Sequence, residues 1–453
     1  MEESVFWADN IADEIINRKR FRYTDDGFSL PKKPTVKTSS SLSGVLHIGR
    51  LTDIIRGEAV YRALKDKDQK AQFIYVAEDM DPLRKIPKGV PANFKDYIGV
   101  PVTDVPDPEG CHKNYGEHHL AGFFDIFHEF VQEVPERFSM REEYKKGSFK
   151  PYVKEILKNV SIVREVINRF KGEPLPNDWS PWQPVCEKCG KIITPRTTKI
   201  HDDGKVDYIC KDYDFKTFSA KGCGYEGTSD PAKGNGKLVW KSEWAMQWKH
   251  WDVVSEGAGK EYNVPNSAFF VNAEICEKAL KYPSPVPIFY EYITIGGGQK
   301  MSASEGNVVY PKDWLAVAPA QALRLLFLKR INKARDFTWD GVPRLMDDYD
   351  STAAVYYGRE DSEDTHTQRL YEMVELEKPA KRFEDKIPYS TAATIAQIVN
   401  LDDRERVASV LRNMGFDVTE DVEKRLRWAE TWSNRHSKGI QVMEKLPEAA
   451  KKL

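Results

Sequence analysis

The stretch from Thr35 to Asp79 constrains this chain more than any other. TVKT (35–38) reads as a short strand, the following SSSLSGVLH as a turn of small residues, and the spacing predicts a helix from about 48 to 65. QFIYVAED (72–79) then has the apolar run of a strand buried on both faces. Strand, polar turn, helix and strand in this order make a βαβ unit. A parallel sheet follows, with its ligand site at the C-terminal ends of the strands. No GxGxxG occurs in the turn, so the dinucleotide fingerprint is absent.

The rest of the chain has room for more than this unit, since 453 residues imply about three domains. VFWADNIADEIINR (5–18) reads as an amphipathic helix with Ile11, Ile15 and Ile16 on its apolar side. The proline-rich 82–110 is an excursion from the sheet, and helices are expected near 117–134 and 152–170. Pro174, Pro176, Pro181 and Pro184 mark a boundary before a small cysteine-bearing module. A helix at 271–281 and a strand at 287–295 return the chain to the sheet. Residues from about 312 onward are mostly helical, most clearly Ala316–Ile331. The divisions expected are 1–105, 106–184, 185–230, 231–340 and 341–453.

Charge excludes a partner held by bulk positive potential: 68 Lys and Arg face 70 Asp and Glu, a net charge of -2. Nucleic-acid contact must be local. Residues 137–171 are the place for it, with ten basic residues against four acidic; a solvated helix face is the plain alternative. No signal-peptide pattern or long apolar run is present, so a soluble cytoplasmic protein without membrane contact is expected.

Six cysteines are too few for a disulfide scaffold, but four are clustered. Cys186 and Cys189 are separated by two residues, Cys210 follows after 20 more and Cys223 after another 12. Gly190 and Gly224 come just after the first and last knuckles. This spacing fits a structural zinc site of four thiolates, with free thiols or a swap to His201 as alternatives. Cys111 and Cys276 stand apart and are expected to be ordinary buried thiols.

Two turns carry the chemistry. In SGVLHIGR (43–50), Gly49 lets a ligand approach the backbone, while His47 and the helix N-terminus face anions. In GGGQKMSASEGNV (296–308), three glycines make a flexible loop, Lys300 supplies a point charge for a triphosphate, and Ser302 and Ser304 can orient it. Taken singly, each could be a surface turn.

Together, His47-Ile48-Gly49-Arg50 and Lys300-Met301-Ser302-Ala303-Ser304 resemble the HIGH and KMSKS elements of class I aminoacyl-tRNA synthetases. AEDMDPLRKIP (77–87), VPDPEGCH (105–112), VWKSEWAMQW (239–248), FYEYI (289–293) and KMSASEGNVV (300–309) resemble, more narrowly, the archaeal-type class I lysyl-tRNA synthetase family. The resemblance covers residues 5 to roughly 350. It implies an α/β fold: a Rossmann-like (HUP-type) parallel-sheet catalytic domain, split by an insertion with a zinc module and followed by an all-α anticodon-binding domain.

It also implies the reaction: lysine and ATP form lysyl-adenylate with release of pyrophosphate, and the lysyl group passes to the terminal ribose of tRNA(Lys). Mg²⁺ accompanies ATP, Zn²⁺ sits in the cysteine module, and a monomer is expected. His47, Gly49, Lys300, Ser302 and Ser304 would be catalytic. Ser43, Gly44, His47, Gly49, Arg50, Lys300 and Met301 would hold ATP. Ser39, Ser41, Trp240, Glu243, Tyr262 and Tyr290 would hold lysine, and Cys186, Cys189, Cys210 and Cys223 the metal.

The chain departs from the family pattern at several of these positions. Arg50 and Ala303 replace the last His of HIGH and the second Lys of KMSKS, Ser39 and Ser41 stand where Gly and Thr are common, and Tyr262 stands for a His. The altered pocket leaves a class I synthetase for another amino acid, such as glutamate, as one alternative. A non-catalytic zinc-containing RNA-binding paralogue is another. The family generally continues beyond where LPEAAKKL ends, so a shortened helical domain is the expectation.

Overall fold

Helix α1 (Trp7–Asn17) buries Ala8, Ala12 and Ile15 and precedes strand β1 (Thr35–Ser41), helix α2 (Ile48–Asp66) and strand β2 (Gln72–Glu78). This is the expected βαβ unit with a longer first strand, because Ser39, Ser40 and Ser41 continue the parallel register opposite Val76, Ala77 and Glu78. The computed structural model describes residues 6–42, 47–86, 90–215, 218–301, 307–360, 363–383 and 386–437. These form two compact units, the first built on this sheet and the second helical.

Past the proline-rich excursion come α3 (Tyr115–Phe127), β3 (Glu136–Ser139), α4 (Met140–Lys146), α5 (Lys150–Lys158) and α6 (Val160–Asn168). Here local chemistry moves the expected boundaries. The Asn114 side chain caps α3 by accepting from the Glu117 N–H at 2.9 Å, so the helix starts earlier than 117, and it ends at Phe127. The single helix expected over 152–170 is two. Asn159 interrupts it and donates its amide to the Ala279 carbonyl at 2.8 Å.

Next is β4 (Trp182–Pro184), followed by β5 (Pro195–Ile200), β6 (Val206–Cys210), β7 (Tyr213–Phe215), β8 (Phe218–Ala220), β9 (Glu226–Ser229) and β10 (Gly236–Leu238). β4 and β10 pair antiparallel and close the base of the cysteine module. Within it, β5, β6 and β9 form a small sheet, and β7 and β8 pair antiparallel. The chain then adds α7 (Trp240–His250), β11 (Val253–Gly259), α8 (Ala268–Ala279) and β12 (Val286–Tyr290). The main sheet runs β12-β11-β1-β2-β3, parallel throughout. β11 has no counterpart in the sequence reading, and the strand expected over 287–295 is interrupted after Tyr290 and resumes as a short strand, Ile293–Ile295, in a separate sheet.

The two halves of the split sheet meet at β1 and β11, and a buried charge joins them. Lys37 of β1 and Glu256 of β11, both essentially inaccessible, form an ion pair. The Glu256 carboxylate also accepts from the indole N–H groups of Trp244 at 2.7 Å and Trp248 at 2.6 Å, and from the Ser39 hydroxyl at 3.3 Å. Every donor is satisfied by one acidic side chain. Burial of the pair is therefore tolerable where a lone charge would not be.

In the second unit the helices are α9 (Pro311–Leu315), α10 (Ala320–Leu328), α11 (Val342–Tyr356), α12 (Thr365–Val374), α13 (Tyr389–Ile398), α14 (Arg404–Asn413) and α15 (Glu420–His436). Two buried guanidiniums knit them together. Arg324 donates to the carbonyls of Val374 and Met373, and Arg425 makes a bidentate contact with Asp350 at 2.7 and 2.6 Å. In the glycine loop, the Asp336 carboxylate accepts from the N–H groups of Gly297 and Gly298 at 2.8 and 3.0 Å. No helix among the described residues is long and apolar enough to cross a membrane. A parallel sheet split by an insertion, with a cysteine module and a helical C-terminal part, is the architecture the sequence implied.

Substituting Lys37→Met leaves the Glu256 carboxylate buried without its countercharge and should cost about 3 kcal/mol or more. Urea unfolding followed by tryptophan fluorescence measures the loss, and an unchanged midpoint would remove the pair from the account of the fold.

Candidate functional site

In an open parallel sheet, ligands bind where neighbouring strands lead away in opposite directions. Here that point is the C-terminal ends of β1 and β11, and a cavity of about 210 Å³ opens there. One side of it belongs to the start of α2. His47 is the N-cap residue of that helix, and its Nδ1 accepts from the Gly49 N–H at 3.2 Å. A Cβ on residue 49 would lie 2.8 Å from the imidazole, so glycine is what lets the ring fold back over the helix end. Burial, then the nearby charges of Arg50 and Lys300, lower the His47 pKa to about 4. The ring is neutral near pH 7. With Nδ1 accepting, its proton belongs on Nε2, free to donate to an anion.

Arg50, Lys300 and Met301 line the same cavity. The Lys300 ammonium lies 4.2 Å from the centre of the Tyr292 ring, a cation–π contact that holds it near the helix end. Two cations, a neutral imidazole donor and a helix N-terminus make this side of the cleft a site for phosphate groups. Ser43, Gly44, Ser302 and Ser304 lie outside the described residues.

The other side is aromatic and acidic. Ser39, Ser41, Trp240, Tyr262 and Tyr290 all line it. Trp240 stacks on Trp244 at 4.8 Å, and the edge of Tyr262 meets Trp244 at 5.2 Å. Glu243 is not brought here. It is fully buried, 2.9 Å from the Lys237 ammonium, and it accepts from the Tyr144 hydroxyl at 2.8 Å, so an internal cation already neutralises it.

Three carboxylates line the cavity, Asp53, Glu78 and the exposed Glu261, and the sequence reading named none of them. Asp53 accepts from the Tyr290 hydroxyl at 3.0 Å, and the Arg56 guanidinium covers the Tyr290 ring at 4.6 Å. A Cβ on residue 257 would lie 1.9 Å from the Asp53 carboxylate, so Gly257 is required for this approach. Glu78 accepts from the Gln247 amide at 3.1 and 3.3 Å. Neither carboxylate belongs to an ion pair among the described residues. Burial raises Asp53 to about 6 and Glu78 to about 8. Both are set to gain from an incoming cation.

The four cysteines of the small module converge as expected, with their sulfurs within 4.8 Å of one another. Cys186 and Cys223 are 3.6 Å apart and Cys189 and Cys210 3.7 Å. Tetrahedral zinc with Zn–S of about 2.3 Å has S–S edges of about 3.8 Å, so the donors fit. His201 is bonded to Asp207 at 2.8 Å and takes no place in the cluster.

A second cluster was not anticipated: Asp107, Cys111, His112 and His118. The Cys111 sulfur lies 3.0 Å from His112 Nδ1 and 3.3 Å from His118 Nδ1, and His118 Nδ1 lies 3.1 Å from the Asp107 carboxylate. Cys111 is therefore exposed among metal-type donors and is not the buried thiol expected, whereas Cys276 is buried. One sulfur, one carboxylate oxygen and two imidazoles suit zinc. The sequence did hold a signal, since three of the nine histidines fall between 112 and 119.

The family described as tRNA synthetases class I (K) matches residues 5–377. A protein named lysine–tRNA ligase from Methanocaldococcus jannaschii is 30% identical over 460 residues, 96% of this chain and 82% of that one. Another of the same name, from Pyrococcus horikoshii, is 30% identical over 98% of this chain and 84% of its own length. Among solved structures, a glutamate-tRNA synthetase from Elizabethkingia anophelis is 13% identical with a TM-score of 0.37, covering 93% of this chain and 84% of that chain.

Metal analysis of the purified protein should find two zinc ions per chain. Cys189→Ser and His118→Ala should each lower the content by one; a content unaffected by His118→Ala would remove the second cluster as a metal centre.

Proposed function

This chain belongs to the class I tRNA synthetases designated K, and we propose how its cleft performs the ATP-dependent ligation of lysine to tRNA, the activity named in its relatives. The observation that carries the assignment is a pair of carboxylates, the buried Glu78 and the half-buried Asp53, that enter one small cavity without ion-pair partners among the described residues. Lysine brings two ammonium groups, one for each. Glutamate brings one ammonium and an additional carboxylate that Asp53 and Glu78 would repel, which argues against the glutamate alternative. The lysine stem lies against Trp240 and Tyr262, and the Ser39 and Ser41 hydroxyls face it from the end of β1.

On the phosphate side, the lysine carboxylate attacks the α-phosphorus of ATP, and the bond to pyrophosphate breaks. A terminal ribose hydroxyl of tRNA then attacks the carbonyl carbon of the adenylate, and AMP leaves. The protein supplies alignment and charge stabilisation. His47 donates from Nε2 to the α-phosphate as negative charge builds there, the α2 N-terminus supports it, and Lys300 and Arg50 meet the remaining phosphate oxygens. Mg²⁺ would enter on the ATP phosphates and spread their charge. Four thiolates leave no open position on a zinc ion in the small module, so that metal is structural. His47, Gly49 and Lys300 are all in place, which argues against a paralogue that has lost catalysis.

Amino-acid-dependent ATP–pyrophosphate exchange, run with and without tRNA, should respond to lysine alone. Exchange driven by glutamate, or none with any amino acid, would overturn the proposal. Lys300→Ala should lower kcat on the order of 100-fold with little change in the KM for lysine.

The acidic pocket also predicts a pH dependence. Lysine needs Glu78 ionised, and in the empty cleft that carboxyl holds its proton up to about pH 8. The KM for lysine should therefore rise by roughly an order of magnitude as pH falls from 8.5 to 6.5, and Glu78→Gln should raise KM while flattening this slope. A slope that survives in Glu78→Gln assigns the proton elsewhere.

A further inference from the structure

A second cavity, of about 370 Å³, opens on the opposite face of β2. Side chains alternate along a strand, so Glu78 faces the first cleft while Tyr75, Ala77 and Asp79 face the second. The two are neighbours: Ser41 lines the first, and Leu42, the next residue in the chain, lines the second. The reaction proposed above uses nothing in this second space.

Four cationic side chains line it, and three of them come from the basic segment noted in the sequence. Arg137 on β3 and Arg141 and Lys145 on α4 recur every fourth residue and line the cavity, and Lys113 joins them from the start of α3. Arg141 is 9% exposed and reaches Asp104 at 2.7 Å through one nitrogen, while its buried Nε has no hydrogen-bond partner. Three carboxylates also line the space. Asp79 is taken by the Arg141 backbone N–H at 2.9 Å, and Glu117 and Glu142 are exposed at the rim. Phe138 and Tyr75 offer aromatic surface. Lys113 directly follows His112, so the Asp107–His118 donor cluster fastens the wall that carries it.

Cations, a buried guanidinium N–H in need of an acceptor, aromatic surface and a volume suited to one small ligand match the phosphate and base of a nucleotide. We propose that this cavity receives a nucleotide of the tRNA 3′ strand, next to the terminal one whose ribose enters the catalytic cleft. The adjacency of Ser41 and Leu42 favours the tRNA strand over a free nucleotide, because a continuous strand passes from one space to the other around a single residue. The inference rests on the tRNA-ligase reading.

Lys113 and Lys145 are exposed, so Lys113→Glu with Lys145→Glu alters the cavity mouth without disturbing packing. Binding at fixed salt is compared for full-length tRNA and for the same tRNA lacking its three 3′-terminal nucleotides. The double variant should bind full-length tRNA at least 10-fold more weakly than the unaltered protein and the shortened tRNA within 2-fold of it. Equal losses for both tRNAs would mean general attraction of the backbone, and no loss for either would mean the cavity is unused; both overturn the proposal. A parallel rise in the KM for ATP would make it a free-nucleotide site and overturn it as well. Lysine-dependent exchange by the unaltered protein tests the tRNA-ligase reading separately.

Discussion

Glu256 is the residue on which the first unit turns. Its carboxylate meets the Lys37 ammonium from β1 and the indoles of Trp244 and Trp248 from α7, so three separate segments converge on one buried anion. Trp244 carries Trp240 and Tyr262 on its faces, which places the aromatic wall of the cleft. Ser39, also bonded to Glu256, places the polar edge. The charge that joins the two halves of the sheet thus also sets the shape of the substrate pocket.

A related logic separates structural from functional charge nearby. Glu243 and Glu256 each have an internal ammonium and are complete without a ligand. Asp53 and Glu78, in the same region, have none. Folding costs them solvation that the hydrogen bonds from Tyr290 and Gln247 and the charge of nearby Lys37 offset only in part, and the shift of both carboxyls toward the neutral form records it. Unsatisfied groups of this kind concentrate at binding sites, where the ligand completes the electrostatics.

What could be read from the sequence was what depends on neighbours along the chain. His47 and Gly49 act within one turn of helix, the paired thiols within a knuckle, and the βαβ unit within one short stretch, so each left a local pattern. Asp53 and Glu78 did not. One sits inside a helix and the other at the end of a buried strand, and only the distant Gly257 and Gln247 show what surrounds them. Glu243 misled because its partner Lys237 looked like an ordinary polar residue six positions earlier. β11, with Gly257 and Gly259 near its end, lacks any period because its small residues make room for the ligand. The Asp107 cluster mixes three donor types, so no pair of closely spaced thiols announced it.

The contact between Lys37 and Glu256 spans 219 residues of chain. At translation rates of roughly 5–20 residues per second, β1 emerges from the ribosome roughly 10–40 s before its partner on β11 exists. During that interval β2 can cover one edge of β1, but the other stays bare, an open template for pairing with any passing strand. Lys37 stands on that edge. Until Glu256 arrives, its charge must stay in water, which disfavours the close strand-to-strand contact that begins aggregation. The same ammonium that later locks the finished sheet serves the unfinished one as a guard.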